Sequence, residues 1–423
     1  MSNLKSILHG KLFFILCALI FRGLLDVSYL VFVNPLFSYA GFTIDVTFSA
    51  YIFSWFLFLI TCIYTPHLFM KVSDYFLCSF SLAILAPLSS LYGLSDLDEF
   101  PLLVTFISFL VIQFIVKLKL PFKIKIPVLR GGPLVAKGGA LISIFFLIGW
   151  YFYSGAWQYF NLDFSKVYEY RELSAKAANI GLLAYFNNWV YQIFSIFVLA
   201  WMLHERRFFM FSVFLLIQIF FFGVSGHKSL FFYPILVLSI WFYFRRYHAL
   251  SIIPIGFCVI VVITLLTYVL FDQIMPASMF IRRVFYVPAY LTYQYFDFFS
   301  VNQFVIWSNS ILSNFISYPY NESLVVLIGN YEGSGAAANN GYVASGYAHL
   351  GLMGVGLYTI IFSILIRLID VFSSKTMPAW FALAITIVPL RAALISSDLF
   401  TTLLTHGLII SLILLYLNRQ YSK

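Results

Sequence analysis

Charge is what this chain has least of. Asp, Glu, Lys and Arg make up 10% of its 423 residues, where a soluble domain carries about 25%. Hydrophobic residues make up 62%, too many for a water-soluble fold to hide. That excludes soluble enzymes, nucleic-acid binders and disordered proteins. Cysteine is rare too, at four residues. Cys17, Cys62, Cys78 and Cys258 each sit in an apolar run with no CxxC spacing, so neither a disulfide framework nor a zinc site is expected. The period-two alternation of a membrane β-barrel is missing. So are a P-loop, a nucleophile elbow, an HExxH and any cytoplasmic domain, which leaves ATP-driven transport and cytoplasmic nucleotide-sugar chemistry without machinery. The first apolar run lacks a small-residue cleavage site and reads as a retained helix.

What is present is a series of long, continuous apolar runs. Runs of about 17–25 residues span a bilayer as helices. They fall roughly at 11–33, 43–65, 74–94, 101–118, 138–155, 179–203, 208–224, 230–244, 250–271, 346–370, 378–394 and 401–418. The expected fold is an all-α polytopic membrane protein, one integral membrane domain over 1–423 with about twelve transmembrane helices. Lys and Arg collect in cytoplasmic loops. With the N-terminus inside, the inner segments hold Lys5, Lys11, Lys71, Lys117, Lys119, Lys123, Lys125, Arg130, Lys137, Arg206, Arg207, Arg245, Arg246, Arg367, Lys375, Arg419 and Lys423. The outer segments hold only Lys166, Arg171, Lys176, Lys228, Arg282 and Arg283. Both termini are therefore expected in the cytoplasm.

Two outer segments are enlarged, 156–178 and 272–345, the second before the tenth helix. Loops this long are usually functional or disordered. The second carries Tyr286, Tyr290, Tyr293, Tyr295, Phe296, Phe298, Phe299 and Trp307, enough aromatic surface to fold back as interfacial helices. It ends in the small-residue stretch Gly333–Gly341, suited to a hinge or a close approach to a ligand.

The outer cations stand against the sorting rule and so need a reason. Arginine's planar fork binds phosphate oxygens bidentately and keeps its proton. Arg171, Arg282 and Arg283 thus suit a pyrophosphate-bearing lipid. Local pairing is the competing account, since Glu169 and Glu172 flank Arg171 and Asp272 and Asp297 lie near the arginine pair in the chain. His227 and Lys228 form a tight turn that could touch a substrate phosphate or lipid headgroups. Asn340, Tyr347 and His349 lead from the long segment into the tenth helix, and His349 is a candidate base or donor. Gly351 and Gly354 suit close helix packing. Arg391 and Asp398 bracket a later outer loop, as a cavity-closing cluster or as a plain pair. Arg22 and Asp26, spaced i, i+4, face one another as a buried pair. Asp96-Leu97-Asp98 has the spacing of metal-using glycosyltransferases but sits in a short outer loop, so no metal is expected.

This layout resembles the Wzy-type O-antigen or oligosaccharide repeat-unit polymerases. The shared features are about twelve helices, cytoplasmic ends, and enlarged third and fifth outer loops bearing arginines. Arg171 to Gly181 matches an Arg-x9-Gly spacing of that family, and the run from Asn340 to Gly354 is similar to its segment entering a late helix. Ten residues after Arg283 the chain has Tyr293 in place of a glycine.

The resemblance implies a GT-C-like, metal-independent glycosyltransferase of the bacterial inner membrane, without cofactor, working on the periplasmic face. Its donor and acceptor would both be undecaprenyl-pyrophosphate-linked oligosaccharides. The growing glycan would pass to the non-reducing end of a new lipid-linked unit. Arg282, Arg283, His349 and Asp398 would be catalytic, the base being His349 or a carboxylate such as Asp398. Arg171, Lys228, His227, Arg391, Asn340 and Tyr347 would bind substrate. Partners would be membrane lipids and a chain-length regulator, with no nucleic acid. A lipid-linked oligosaccharide flippase and an O-antigen ligase are the alternatives.

Overall fold

The computed structural model describes residues 8–118, 126–163, 166–373 and 377–419. Lys5, Lys119, Lys123, Lys125, Lys375 and Lys423, counted above for orientation, lie outside them. The described residues are helical and carry no strand beyond an isolated bridge between Leu68 and Ala249. Among the described residues, eight helices are long and apolar enough to cross a membrane: Lys11–Ala40, Val72–Leu94, Phe100–Lys117, Gly132–Tyr153, Leu183–His204, Phe208–Ser225, Ile252–Phe271 and Tyr342–Phe372. Phe48–Tyr64, Lys228–Phe244, Ala379–Ile395 and Leu408–Leu417 are apolar but shorter. The protein is thus a polytopic helical membrane protein by the length and composition of its helices.

The chain divides into two compact units. Unit 1 comprises Met1–Lys119, Ala249–Ile366 and Ala393–Leu399; unit 2 comprises Leu120–His248, Arg367–Ala392 and Phe400–Lys423.

Unit 1 is built around Val72–Leu94, of which 89% of the most apolar stretch is buried, against 17% for Ile252–Phe271. The sequence explains the difference. Ala86, Ser89, Ser90 and Gly93 give the first helix small surfaces that let neighbours approach, and a Cβ on Gly93 would meet the Ser54 hydroxyl at 2.5 Å. Ile252–Phe271 carries large aliphatic side chains all round, as a lipid-facing helix does. Of three π-helical stretches in this unit, Ser278–Tyr286 contacts both of the others, Tyr29–Val33 and Ser81–Leu85. Such bulges widen the helix locally and concentrate at functional sites.

The long segment 272–345 is not an open loop. It forms Ile274–Ala277, Ser278–Tyr286, Val287–Val301 and Leu324–Tyr331. Val287–Val301 packs on Ala86–Leu94 and Phe100–Lys117, burying Tyr293, Tyr295, Phe296, Phe298 and Phe299 among others. The aromatic run is therefore core of unit 1. Its tyrosines keep hydropathy low while their rings bury like phenylalanine.

Unit 2 is centred on Ser195–His204, which packs on Gly132–Tyr153, Phe208–Ser225 and Lys228–Phe244 and buries eight of its ten residues. The segment 156–178 folds here as a 3-10 turn, Ala156–Tyr159, and a helix, Val167–Ala178.

Candidate functional site

The chemistry in unit 1 gathers where a helix breaks. Tyr342–Phe372 is interrupted at Leu350 (φ −154°, ψ 34°) and Gly351 (φ 57°, ψ −142°). A Cβ on Gly354 would lie 2.0 Å from the Gly346 carbonyl oxygen, so the two arms cross with backbone against backbone, which only glycine permits. The break frees carbonyls that an apolar setting cannot leave unpaired. The Val305 and Ile306 amides donate to the Ala348 and His349 carbonyls at 2.9 and 3.0 Å. To reach them, Ile306 and Trp307 take left-handed backbone, φ 48° and 52°. That is strained for bulky residues and typical of functional elbows.

The elbow and the broken helix bring four side chains together. The Trp307 amide donates to His349 Nδ1 at 3.2 Å. Nδ1 is therefore an acceptor, the proton sits on Nε2, and Nε2 donates to Asp398 Oδ2 at 3.2 Å. The Tyr358 hydroxyl donates to the same oxygen at 2.7 Å, and the Trp307 indole donates to the Tyr358 oxygen at 2.6 Å. The indole also stacks on His349, centroids 5.1 Å apart. His349 is 1% exposed at its side chain and Asp398 18%. Both hydrogen bonds fall on one carboxylate oxygen.

Asn340 and Tyr347 lie on the same approach but face inward. The Asn340 amide donates to the Pro288 carbonyl at 3.2 Å and to the Thr292 hydroxyl at 3.1 Å, while its oxygen accepts from the Gly341 amide. Tyr347 stacks on Phe296 at 3.9 Å, with Phe100 and Phe304 at its edges. Both hold the entry to the broken helix in place.

Arg282 and Arg283 stand on the π-helical stretch Ser278–Tyr286. The Arg282 guanidinium lies 4.2 Å from the Phe37 ring centroid and its Nε donates to the Ser278 hydroxyl at 3.4 Å. Burial, then the neighbouring Arg283, pull its pKa below the ordinary value. Arg283 is exposed. Among the described residues neither arginine makes an ion pair. Asp297 instead accepts from the Tyr331 hydroxyl at 2.5 Å.

In unit 2, Arg171 lies on Val167–Ala178, its Cβ within 2.8 Å of where a Cβ on Gly226 would stand. Glu172 pairs with Lys176 at 2.8 Å, and Arg171 has no ion pair among the described residues. Beside it His227 packs on Tyr191 at 5.7 Å. Burial, then the Arg171 charge, push the His227 pKa down to about 4, so this histidine is neutral at pH 7. Lys228 and Arg391 are exposed. Six of the expected site residues thus fall in unit 1 and Arg171, His227, Lys228 and Arg391 in unit 2.

Arg22 and Asp26 form the buried pair their spacing suggests. Arg22 also donates to the Ser89 hydroxyl at 3.0 Å, the Ser89 carbonyl at 2.9 Å and the Ser54 hydroxyl at 3.2 Å. Asp26 accepts from Ser90 at 2.6 Å and from Tyr51 at 3.1 Å. Asp98 accepts from the Phe100 amide at 3.0 Å, and among the described residues no group of three His, Cys, Asp or Glu side chains is placed for a metal.

Tyr358 and the hydrogen-bonding role of Trp307 are absent from the expected site. Their signal in sequence is weak, because an aromatic residue in an apolar run reads as packing. Comparison of the chain with protein-family models, with curated proteins and with solved structures finds no match.

Proposed function

We propose that the protein is a membrane glycosyltransferase that joins undecaprenyl-pyrophosphate-linked oligosaccharide repeat units into O-antigen or a related surface polysaccharide. In this reading the four shorter apolar helices also span. The chain then crosses the bacterial inner membrane twelve times with both ends in the cytoplasm, as the Lys and Arg distribution favours. Chemistry takes place on the periplasmic face.

One observation carries the reading. Arg282 is half-buried against Phe37, and neither it nor Arg283 has an ion-pair partner among the described residues. A half-buried guanidinium that feels the Glu332 charge but forms no ion pair with it is incompletely compensated, and an anionic ligand completes the compensation. A pyrophosphate fits two adjacent arginines by charge and by bidentate geometry. It is also a leaving group that needs charge stabilisation rather than a proton. Arg171, Lys228 and Arg391 are assigned to substrate or headgroup phosphates.

The second requirement is a base, and the Asp398–His349 pair supplies it. An acceptor sugar hydroxyl gives its proton to the base, and its oxygen bonds to the donor's anomeric carbon. The bond from that carbon to the pyrophosphate oxygen breaks, and the electron pair leaves on the diphosphate held by the arginines.

Deletion of the gene tests this directly. Cells lacking the protein should display lipopolysaccharide with a single repeat unit and no ladder on a gel. Complete loss of the glycan would point instead to a flippase or a ligase.

A further inference from the structure

The geometry points to a division of roles within the base: Asp398 is the catalytic group, and His349, Tyr358 and Trp307 are positioning residues that hold its carboxylate. This rests on the glycosyltransferase reading and decides what that reading leaves open, which partner takes the proton.

Both ring nitrogens of His349 are committed. Nδ1 accepts from the Trp307 amide. Nε2 carries the proton that it gives to Asp398, and a protonated nitrogen cannot accept another. Turning the ring would break both bonds and move it past the indole stacked on its face. The ring is also 1% exposed, so an acceptor sugar cannot reach it while these contacts hold. Asp398 is different. Its side chain is 18% exposed, so an acceptor hydroxyl can reach it.

Each positioning residue is fixed by the next. Tyr358 accepts from the Trp307 indole, which leaves its single hydroxyl proton for Asp398. Trp307 is held in turn by its left-handed backbone beside the broken helix. In the reaction the acceptor hydroxyl proton moves to Asp398, which becomes the neutral acid, while the bond to the pyrophosphate breaks with its electron pair on the diphosphate. His349 stays a donor throughout and neither gains nor loses a proton.

The test uses the full-length protein in detergent or proteoliposomes, with lipid-linked repeat units as probe. Asp398→Asn should lower the elongation rate by about 10²-fold or more. His349→Gln keeps an N–H donor and should remain within about 10-fold of the wild type, whereas His349→Ala should fall further. Tyr358→Phe should lower kcat about 10-fold with KM unchanged. A merely structural role for these side chains would lower the yield and thermal stability of the variants rather than kcat at unchanged KM.

The second measurement needs no activity. The ¹⁵N spectrum of histidine-labelled protein, with the His349 signals assigned by their loss in His349→Gln, should show Nε2 protonated and Nδ1 bare. The opposite tautomer overturns the inference, as does a His349→Gln protein as inactive as Asp398→Asn. An Asp398→Asn protein that elongates normally also overturns it and leaves the polymerase reading standing. A wild-type protein that elongates nothing sinks that reading and Asp398's catalytic role with it, while the tautomer still decides whether His349 is a fixed donor.

Discussion

Unit 1 contains two polar clusters built from similar parts and put to opposite use. Around Arg22 and Asp26 the charges cancel, hydroxyls and a carbonyl take the remaining hydrogen bonds, and exposure is 0% and 5%. Around Asp398 the donors are likewise in place, but the carboxylate is held at an opening. Closure and opening follow from position. The first cluster lies between intact helices lined by Ser54, Ser89 and Ser90, and the second lies where a helix breaks and an elbow must cap it. A closed ionic cluster gives specificity to the packing. An open one has a group to offer a substrate.

The contrast predicts the largest effect at the closed cluster. Arg22→Met leaves Asp26 buried without its cation and should cost about 3–5 kcal/mol. The readout is thermal stability in detergent, with low yield as a companion sign. Combining it with Asp26→Leu removes the orphaned charge, and most of the lost stability should return. If the single and double variants are equally unstable, packing rather than charge balance holds this region, and the comparison between the clusters fails.

Arg282 tests the other side of the contrast, an arginine of the same unit that makes no ion pair among the described residues. Arg282→Ala should leave thermal stability within about 1 kcal/mol, because it breaks no ion pair of the described residues and leaves no salt-bridged carboxylate behind. It should shorten or abolish the glycan ladder, with a rate loss of about 10²-fold expected for removing one charge donor to the leaving group. Arg282→Lys should recover little, because a point charge cannot make the bidentate contact. Full-length ladders in Arg282→Ala cells would mean that the arginine pair does not grip the leaving group.

Much of the fold was legible in the residues. Membrane helices announce themselves by long apolar runs, since lipid forces every backbone group to pair within its helix. The Arg22–Asp26 pair was legible for a local reason, its one-turn spacing. His349 and Asp398 stood out singly as polar groups in outer segments, but their pairing spans 49 residues and no local rule reaches that far. Tyr358 and Trp307 were hidden by being aromatic. The burial of Val287–Val301 was missed because its tyrosines lower hydropathy, although buried rings bring their hydroxyls to partners, as Tyr295 does with the Ala338 carbonyl at 2.9 Å. The strained elbow at Ile306 and Trp307 left no trace, since nothing in those two residue types asks for a left-handed backbone.

The smallest effect belongs to unit 2 and extends the comparison to a titrating group. His227 is held neutral by burial and by Arg171, with its pKa down at about 4 against about 6.5 in an unfolded chain. Its contribution to stability is therefore complete above pH 6.5 and is lost as the pH falls toward 4, because the unfolded chain takes up the proton first. At pH 5 the loss amounts to about 2 kcal/mol. The melting temperature in detergent should drop between pH 7.5 and pH 5, and His227→Gln, which cannot titrate, should show a smaller drop. Arg171→Gln should also reduce it, though by less, since burial is the larger cause and the arginine charge the lesser. An identical drop in all three proteins would mean that His227 charges freely in the folded state. The turn at Gly226 would then be open to water in a way its contacts with Tyr170, Arg171 and Val167 argue against.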